Sequence, residues 1–253
     1  MSQRALSFGM IAAAYERFRP GYPDELADLV MAYAGRPVTT ALEIGAGTGK
    51  ATRLFARHGV AVTATDPDPA MLAELRKHVP ANVTTVRAAF EDLRPGETYP
   101  LVYAAAALHW TDPSERWSRM AALLEPGGVF ASVGGPLRLC DPALEEAVTE
   151  ARRPFIADDT IPAPDGTPSD APMQWPGSEL ERSEWFRDVR QEVIPRRVVL
   201  SARDYAGHLS TVSAYLMLPD ERREQVLGRI LEVLPETVEL SGDLTVHLAR
   251  RIG

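Results

Sequence analysis

Between residues 41 and 135, short apolar runs alternate with segments whose apolar residues fall at helical spacing. This is the pattern of a parallel sheet with helices on both faces. Ala41 to Ile44 predicts a first strand, followed by a glycine-rich turn and a helix over Ala51 to Gly59 with Leu54 and Phe55 on its apolar side. Val60 to Thr65 predicts the second strand. Pro69 to His78 predicts a helix opened by a proline, whose missing N–H costs nothing in a first turn. Val83 to Arg87 reads as the third strand. Leu101 to Leu108 is apolar throughout, as a strand buried on both faces must be, and Pro113 to Leu124 supplies the next helix. Pro126-Gly127-Gly128 turns the chain into a fifth strand, Val129 to Val133.

The flanks follow other patterns. Ala12 to Phe18 and Asp24 to Tyr33 predict two helices joined by Arg19-Pro20-Gly21-Tyr22-Pro23, a helical cap over residues 8–35 that precedes the core at 41–135. Residues 137–200 read as a lid or acceptor-specificity region. Within it, residues 158–178 are rich in proline and poor in aliphatics, a composition that buries little surface and predicts a mobile loop. Val189 to Leu200 alternates like strand material. In the remainder, 201–253, Ala202 to Met217 and Pro219 to Leu234 read as helices and Leu244 to Ala249 as a last strand. The whole, 1–253, is expected to be a single domain with no internal repeat.

Composition narrows the partners. With 45% hydrophobic and 25% charged residues, the 253-residue chain has enough apolar side chains to bury a substantial core. Its net charge of −8 argues against nucleic acid or an anionic membrane surface as a partner. No run approaches the roughly 20 apolar residues of a membrane span, which points to the cytoplasm. A monomer and a homodimer are both compatible with these features. The single cysteine, Cys140, leaves no internal disulfide and no cysteine-cluster metal site, and is expected to be a buried small hydrophobe.

The sharpest local signal is Leu42-Glu43-Ile44-Gly45-Ala46-Gly47-Thr48-Gly49, placed between a strand and a helix. Glycine lets the backbone turn tightly and lets a ligand approach the peptide plane with no Cβ in the way. Asp66 follows at the end of the second strand, where an acid faces the crevice and accepts hydrogen bonds from both hydroxyls of a ribose. That spacing also suits an NAD-dependent oxidoreductase. Two details separate the readings: the glycines are spaced G-x-G-x-G rather than G-x-G-x-x-G, and Glu43 stands two residues before the first of them. An anion there repels a pyrophosphate but pairs with the α-ammonium of an amino acid.

In these residues the chain resembles the class I S-adenosylmethionine-dependent methyltransferases, in particular the small-molecule subgroup known as methyltransferase type 11. The resemblance covers residues 8–135 well and the rest loosely. It implies a Rossmann-like α/β fold: a mostly parallel, seven-stranded central sheet with helices on both faces, an N-terminal helical cap and an insertion after strand 5. The implied cofactor is S-adenosyl-L-methionine, giving S-adenosyl-L-homocysteine as product, with a small molecule, aromatic or heterocyclic in one reading, as acceptor.

The resemblance also implies a set of cofactor-binding residues: Tyr15, Arg19, Glu43, Gly45, Ala46, Gly47, Asp66, Pro67, Met71, Ala89, Phe90, Ala105 and Trp110. Met71 packs near the adenine, and Leu124-Glu125-Pro126-Gly127-Gly128 is the turn before the fifth strand. Arg19, in the pattern Y-x-x-x-R-x-x-Y made with Tyr15 and Tyr22, pairs bidentately with the methionine carboxylate. The acid that usually holds the adenine N6 amine is replaced by Ala89, which leaves Glu91, Asp92 or backbone for that role and Phe90 against the ring. Pro100 replaces another usual acid.

The fourth strand runs into His109-Trp110, at the sheet edge where ligand meets substrate. His109 is either a general base or a residue that lines the pocket. Leu209-Ser210-Thr211-Val212-Ser213 either lines the acceptor pocket or caps a helix. An alternative function is a protein of the same fold that uses the cofactor in a non-methylating reaction such as cyclisation. A nucleic-acid methyltransferase is disfavoured by the acidic balance and by the absence of an Asp/Asn-Pro-Pro-Tyr/Phe motif.

Overall fold

A computed structural model describes residues 9–94, 96–156, 163–168 and 170–253. Two short helices, α1 (Ala12–Phe18) and α2 (Asp24–Ala34), precede the first strand. The core then alternates β1 (Thr40–Ile44), α3 (Lys50–Arg57), β2 (Ala61–Asp66), α4 (Pro69–Leu75), β3 (Val83–Arg87), β4 (Tyr99–Ala105), α5 (Arg116–Leu123) and β5 (Leu124–Gly134). Two later strands, β7 (Phe186–Ile194) and β10 (Leu244–Arg251), complete a seven-stranded sheet in the order β3-β2-β1-β4-β5-β10-β7. β1 to β5 run parallel, and β10 is antiparallel to both of its neighbours.

Both faces are covered over the central strands β1, β4 and β5, which is why these read as nearly continuous apolar runs, whereas the edge strands β3 and β7 are largely exposed. Ala41, Val62, Leu101 and Tyr103 point to one side, against Leu26 and Val30 of α2 and Leu54 and Phe55 of α3. Leu42, Ile44, Val102 and Phe130 point to the other, against Met120 and Leu123 of α5. Strand period 2 divides the side chains between the two cores.

Several elements depart from the pattern read along the chain. The stretch Val189 to Leu200 is not one strand. It splits at Pro195, which has no N–H for a ladder, into β7 and β8 (Arg197–Ser201). β8 joins a second, three-stranded sheet, β6-β9-β8, with β6 (Arg138–Leu139) and β9 (Thr237–Ser241). α6 (Pro142–Arg152), α8 (Ala202–Ser210) and α10 (Asp220–Val233) pack on it through Val148, Tyr205, Leu209, Val226 and Ile230. The helix expected over Ala202 to Met217 breaks at Thr211 and Val212 into α8 and α9 (Ser213–Leu216). β5 begins at Leu124, before the Pro-Gly-Gly turn, and its register against β4 shifts between Tyr99 and Leu101. Cys140 is half-buried and accepts a hydrogen bond from Arg197.

The loop expected over 158–178 falls partly outside the described residues, at 158–162 and 169. Its described part is tied down. Asp165 accepts from Thr167, Ser178 and Arg182, and the Gln174 N–H donates to Gln191 of β7 at 2.7 Å. α7 (Gly177–Arg182) follows directly.

Candidate cofactor and acceptor site

The carboxyl ends of β1, β2 and β4 meet around the glycine turn. Gly45 (φ +66°) and Gly47 (φ +55°) have left-handed backbones that an L side chain adopts only with strain. A Cβ on Gly45 would stand 2.5 Å from the Cβ of Ala107, so β1 can approach the end of β4 only as glycine. A Cβ on Gly47 would meet nothing within 4 Å, because that position faces the open crevice. Gly45→Ala is therefore expected to cost about 1–3 kcal/mol in a urea melt, and Gly47→Ala less, since its methyl group enters free space. Ala46 is anchored by its N–H to the Thr65 carbonyl at 2.9 Å.

Asp66, at the end of β2, is nearly buried and organises this turn. Its two oxygens accept from the Gly47 N–H at 2.9 Å and the Asp68 N–H at 2.8 Å. Burial raises its carboxyl above the usual range and these two N–H groups oppose the rise. Each oxygen has a second lone pair left for a ligand hydroxyl. Asp68 in turn caps α4, accepting from Ala70 and Met71. Pro67 lies between these two acids and accepts from Arg87 Nε at 3.3 Å.

Glu43 lies deeper. Its Oε2 accepts from Thr52 Oγ1 and from the Tyr103 hydroxyl at 3.0 Å. β1 and β4 place Tyr103 directly beside Glu43 in register. Burial lifts the Glu43 carboxyl to about 8, against the pull of these two hydrogen bonds, with Asp66 adding to the rise. A buried carboxyl in this state becomes a carboxylate readily once a cation arrives.

The N-terminal helix closes over these groups. Glu16 of α1 pairs with Lys50 (3.4 Å) and Arg53 (2.7 Å) of α3, and Lys50 also donates to the Glu16 carbonyl. On the other side Phe18 lies against Gly207 of α8, where a Cβ would stand 2.5 Å from its ring. The Arg19 guanidinium stacks over Tyr15 at 5.2 Å, while its Nε and Nη2 donate to the hydroxyl and carbonyl of Thr211 at 2.8 and 2.9 Å. Two donors of the guanidinium expected to pair bidentately with a carboxylate are thus held by Thr211. Burial raises the Tyr22 hydroxyl above its usual range, as do Tyr15 and Glu43, whereas Arg19 and Arg196 pull it down. Tyr15, Arg19 and Glu43 thus all lie within the electrostatic reach of Tyr22.

At the end of β4, Ala105 is half-buried and Ala106 has φ +52°, a strained backbone for a residue with a side chain. His109 and Trp110 follow in a short helical turn with ring centroids 4.5 Å apart. Burial, reinforced by the Arg116 charge, lowers the His109 imidazole to about 4. It is neutral at physiological pH. Met71, Ala89 and Phe90 are all buried by the protein itself, with Phe90 packed in the second core beside Leu42 and Ile44. Glu91 Oε1 accepts from the Asp112 N–H at 2.8 Å.

Several contacts between residues distant in the chain were not legible in the sequence. Tyr103 and Thr52 hold Glu43, and Thr211 receives Arg19. Arg116 is fully buried and donates to Thr111 Oγ1 (2.7 Å), to the Thr111 carbonyl (2.9 Å) and to Glu179 of α7 (3.0 Å). Trp117 Nε1 donates to the same Glu179 oxygen at 2.9 Å. This network pins α7 to the turn that carries His109.

Residues 41–128 match the sequence profile of the family described as Methyltransferase domain. An uncharacterized methyltransferase of Mycobacterium tuberculosis is 41% identical over 124 residues, covering 49% of this chain and 50% of that protein. A Saccharomyces cerevisiae protein named as an S-adenosylmethionine-dependent methyltransferase is 30% identical over 128 residues, covering 47% of this chain and 44% of its own length. The chain thus spans about half the length of the curated relatives it matches. A solved structure described as a Type II methyltransferase of Anaeromyxobacter dehalogenans superimposes with a TM-score of 0.64 at 25% identity, covering 92% of this chain and 98% of that one. Residues 41–128 are thus similar to a methyltransferase domain, and the sheet order and the G-x-G-x-G turn stand within that matched segment and its neighbours. Among the described residues, no helix is long and apolar enough to cross a membrane and no cluster of His, Cys, Asp and Glu could hold a metal ion.

Proposed function

We propose that the chain transfers the methyl group of S-adenosyl-L-methionine to nitrogen, oxygen or carbon of a small molecule in the cytoplasm. The observation that carries this reading is the pairing of two carboxyls of different kinds at one sheet edge. Asp66 is fixed by the Gly47 and Asp68 N–H groups and offers its remaining lone pairs to ribose hydroxyls. Glu43 is buried behind the turn and, once it releases the proton that burial holds on it to about 8, offers a carboxylate to an α-ammonium. A ligand with a nucleoside at one end and an amino acid at the other, and no phosphate, satisfies both. Arg19 supplies the cation for its carboxylate.

Bound there, the cofactor supplies a methyl group on a sulfonium, already a good leaving group, so positioning and exclusion of water do most of the work. His109 and Trp110 stand where the acceptor arrives. A neutral imidazole held near 4 takes a proton only weakly at neutral pH, so pocket lining is the role that fits His109 best. His109→Ala should accordingly lower turnover modestly, whereas a loss of about 100-fold would mark a general base.

Calorimetric titration with S-adenosylmethionine, S-adenosylhomocysteine and NAD tests the reading. Micromolar binding of both sulfur nucleosides and none of NAD is the expected result. Asp66→Ala should weaken S-adenosylhomocysteine by about 1–3 kcal/mol through lost ribose hydrogen bonds, and an unchanged dissociation constant would remove Asp66 from the site.

A further inference from the structure

The same edge of the sheet carries a second guanidinium, which the cofactor does not account for. Ile194, the last residue of β7, pairs with Leu244, one position from the Thr245–Gly134 pair that ends β5. The turn after β7 therefore places Arg196 at the carboxyl edge of the sheet, on the far side of β10 from the exit of β5. Arg196 Nη1 donates to the Gly21 carbonyl of the N-terminal cap at 2.7 Å, and its side chain lies along Gly242 next to Leu137. The nearby carboxylate of Asp243 is used by the Arg196 backbone N–H at 2.8 Å.

Among the described residues, neither Arg196 nor Arg19 forms an ion pair with a carboxylate. Both are half-buried, and Tyr22 stands within the field of both. Desolvation already lowers Arg196 from its usual range, so part of its hydration is lost with no counter-charge to replace it. A guanidinium in that state is matched by an oxyanion, which its planar fork binds through two N–H groups.

We propose that Arg196, together with the Tyr22 hydroxyl, binds an oxyanion of the methyl acceptor, so that the acceptor is a small carboxylate or phosphate. This inference rests on the methyltransferase reading above and adds the acceptor's class to it. Arg19 stays with the cofactor and Arg196 selects the acceptor.

The test uses the full chain saturated with S-adenosylhomocysteine and titrated at constant ionic strength with succinate and with glycerol phosphate. Succinamide and glycerol are the uncharged controls. The wild type should bind at least one anion about tenfold more tightly than its control, and the anion that does so identifies the source of the charge. Arg196→Gln should abolish that preference and Arg196→Lys should reduce it. Arg197→Gln, on the neighbouring exposed residue paired with Glu239, should leave it intact. Equal binding of anion and control by the wild type, or a preference that survives in Arg196→Gln, overturns the proposal. If folded wild-type protein fails to bind S-adenosylhomocysteine at all, the methyltransferase reading falls first and takes this inference with it.

Discussion

Replacing Arg116 by alanine should cost the protein about 3–5 kcal/mol, the range seen when one partner of a buried ion pair is removed. The side chain is 1% exposed, and three hydrogen bonds hold it to Thr111 and Glu179. Without it, Glu179 keeps a partly buried charge whose remaining partner is the Trp117 indole N–H. Glu179→Gln should cost less, because an amide oxygen still accepts from both Arg116 and Trp117. Urea melts of the two variants measure the difference, and equal small losses would mean that the pair contributes nothing. A second readout is independent of folding: Arg116 helps hold the His109 imidazole down, so Arg116→Gln should raise the His109 titration from about 4, as followed by NMR.

Cofactor affinity should climb by roughly tenfold per pH unit between pH 6 and pH 8. In the reading proposed above the α-ammonium pairs with an ionised Glu43, and the carboxyl of the free protein ionises only near 8. Below that value, binding must expel a proton from Glu43, so calorimetry in buffers of different ionisation enthalpy should report about one proton released per ligand. Above pH 8 the gain stops, because an α-amino group itself loses its proton near there. Glu43→Gln should bind weakly and show no such slope. The same group sets the stability of the unliganded protein. A carboxyl raised on folding stabilises at low pH and loses that contribution as pH rises from the ordinary carboxylate range to about 8. Glu43→Gln should flatten this decline.

The parts of this molecule that were legible in the sequence are those decided within a short window. β3 falls at Val83–Arg87, as its pattern predicts, and the glycine turn and Asp66 occupy the positions their spacing implies. What could not be read depends on contacts distant in the chain. Arg116 sits in a stretch with Glu115 and Arg119 that looks like a solvated helix face, and only Glu179, 63 residues on, makes its burial tolerable. β9 is only five residues long, so its alternation of Val238 and Leu240 with polar residues is too short a signal to set it apart from a loop. Arg19 looked free to grip a ligand because the interruption of α8 that exposes the Thr211 carbonyl leaves no glycine or proline as a sign.

The place of β10 in the sheet has a consequence for how this protein is made. β5 is apolar on both faces, and its outer edge is closed only by β10, whose residues 244–251 are translated more than a hundred positions later. Until they leave the ribosome, Val129 to Val133 presents an unpaired, sticky edge to the cell. The nascent chain should therefore recruit chaperones from about residue 160 onward, and release them as the last strand arrives.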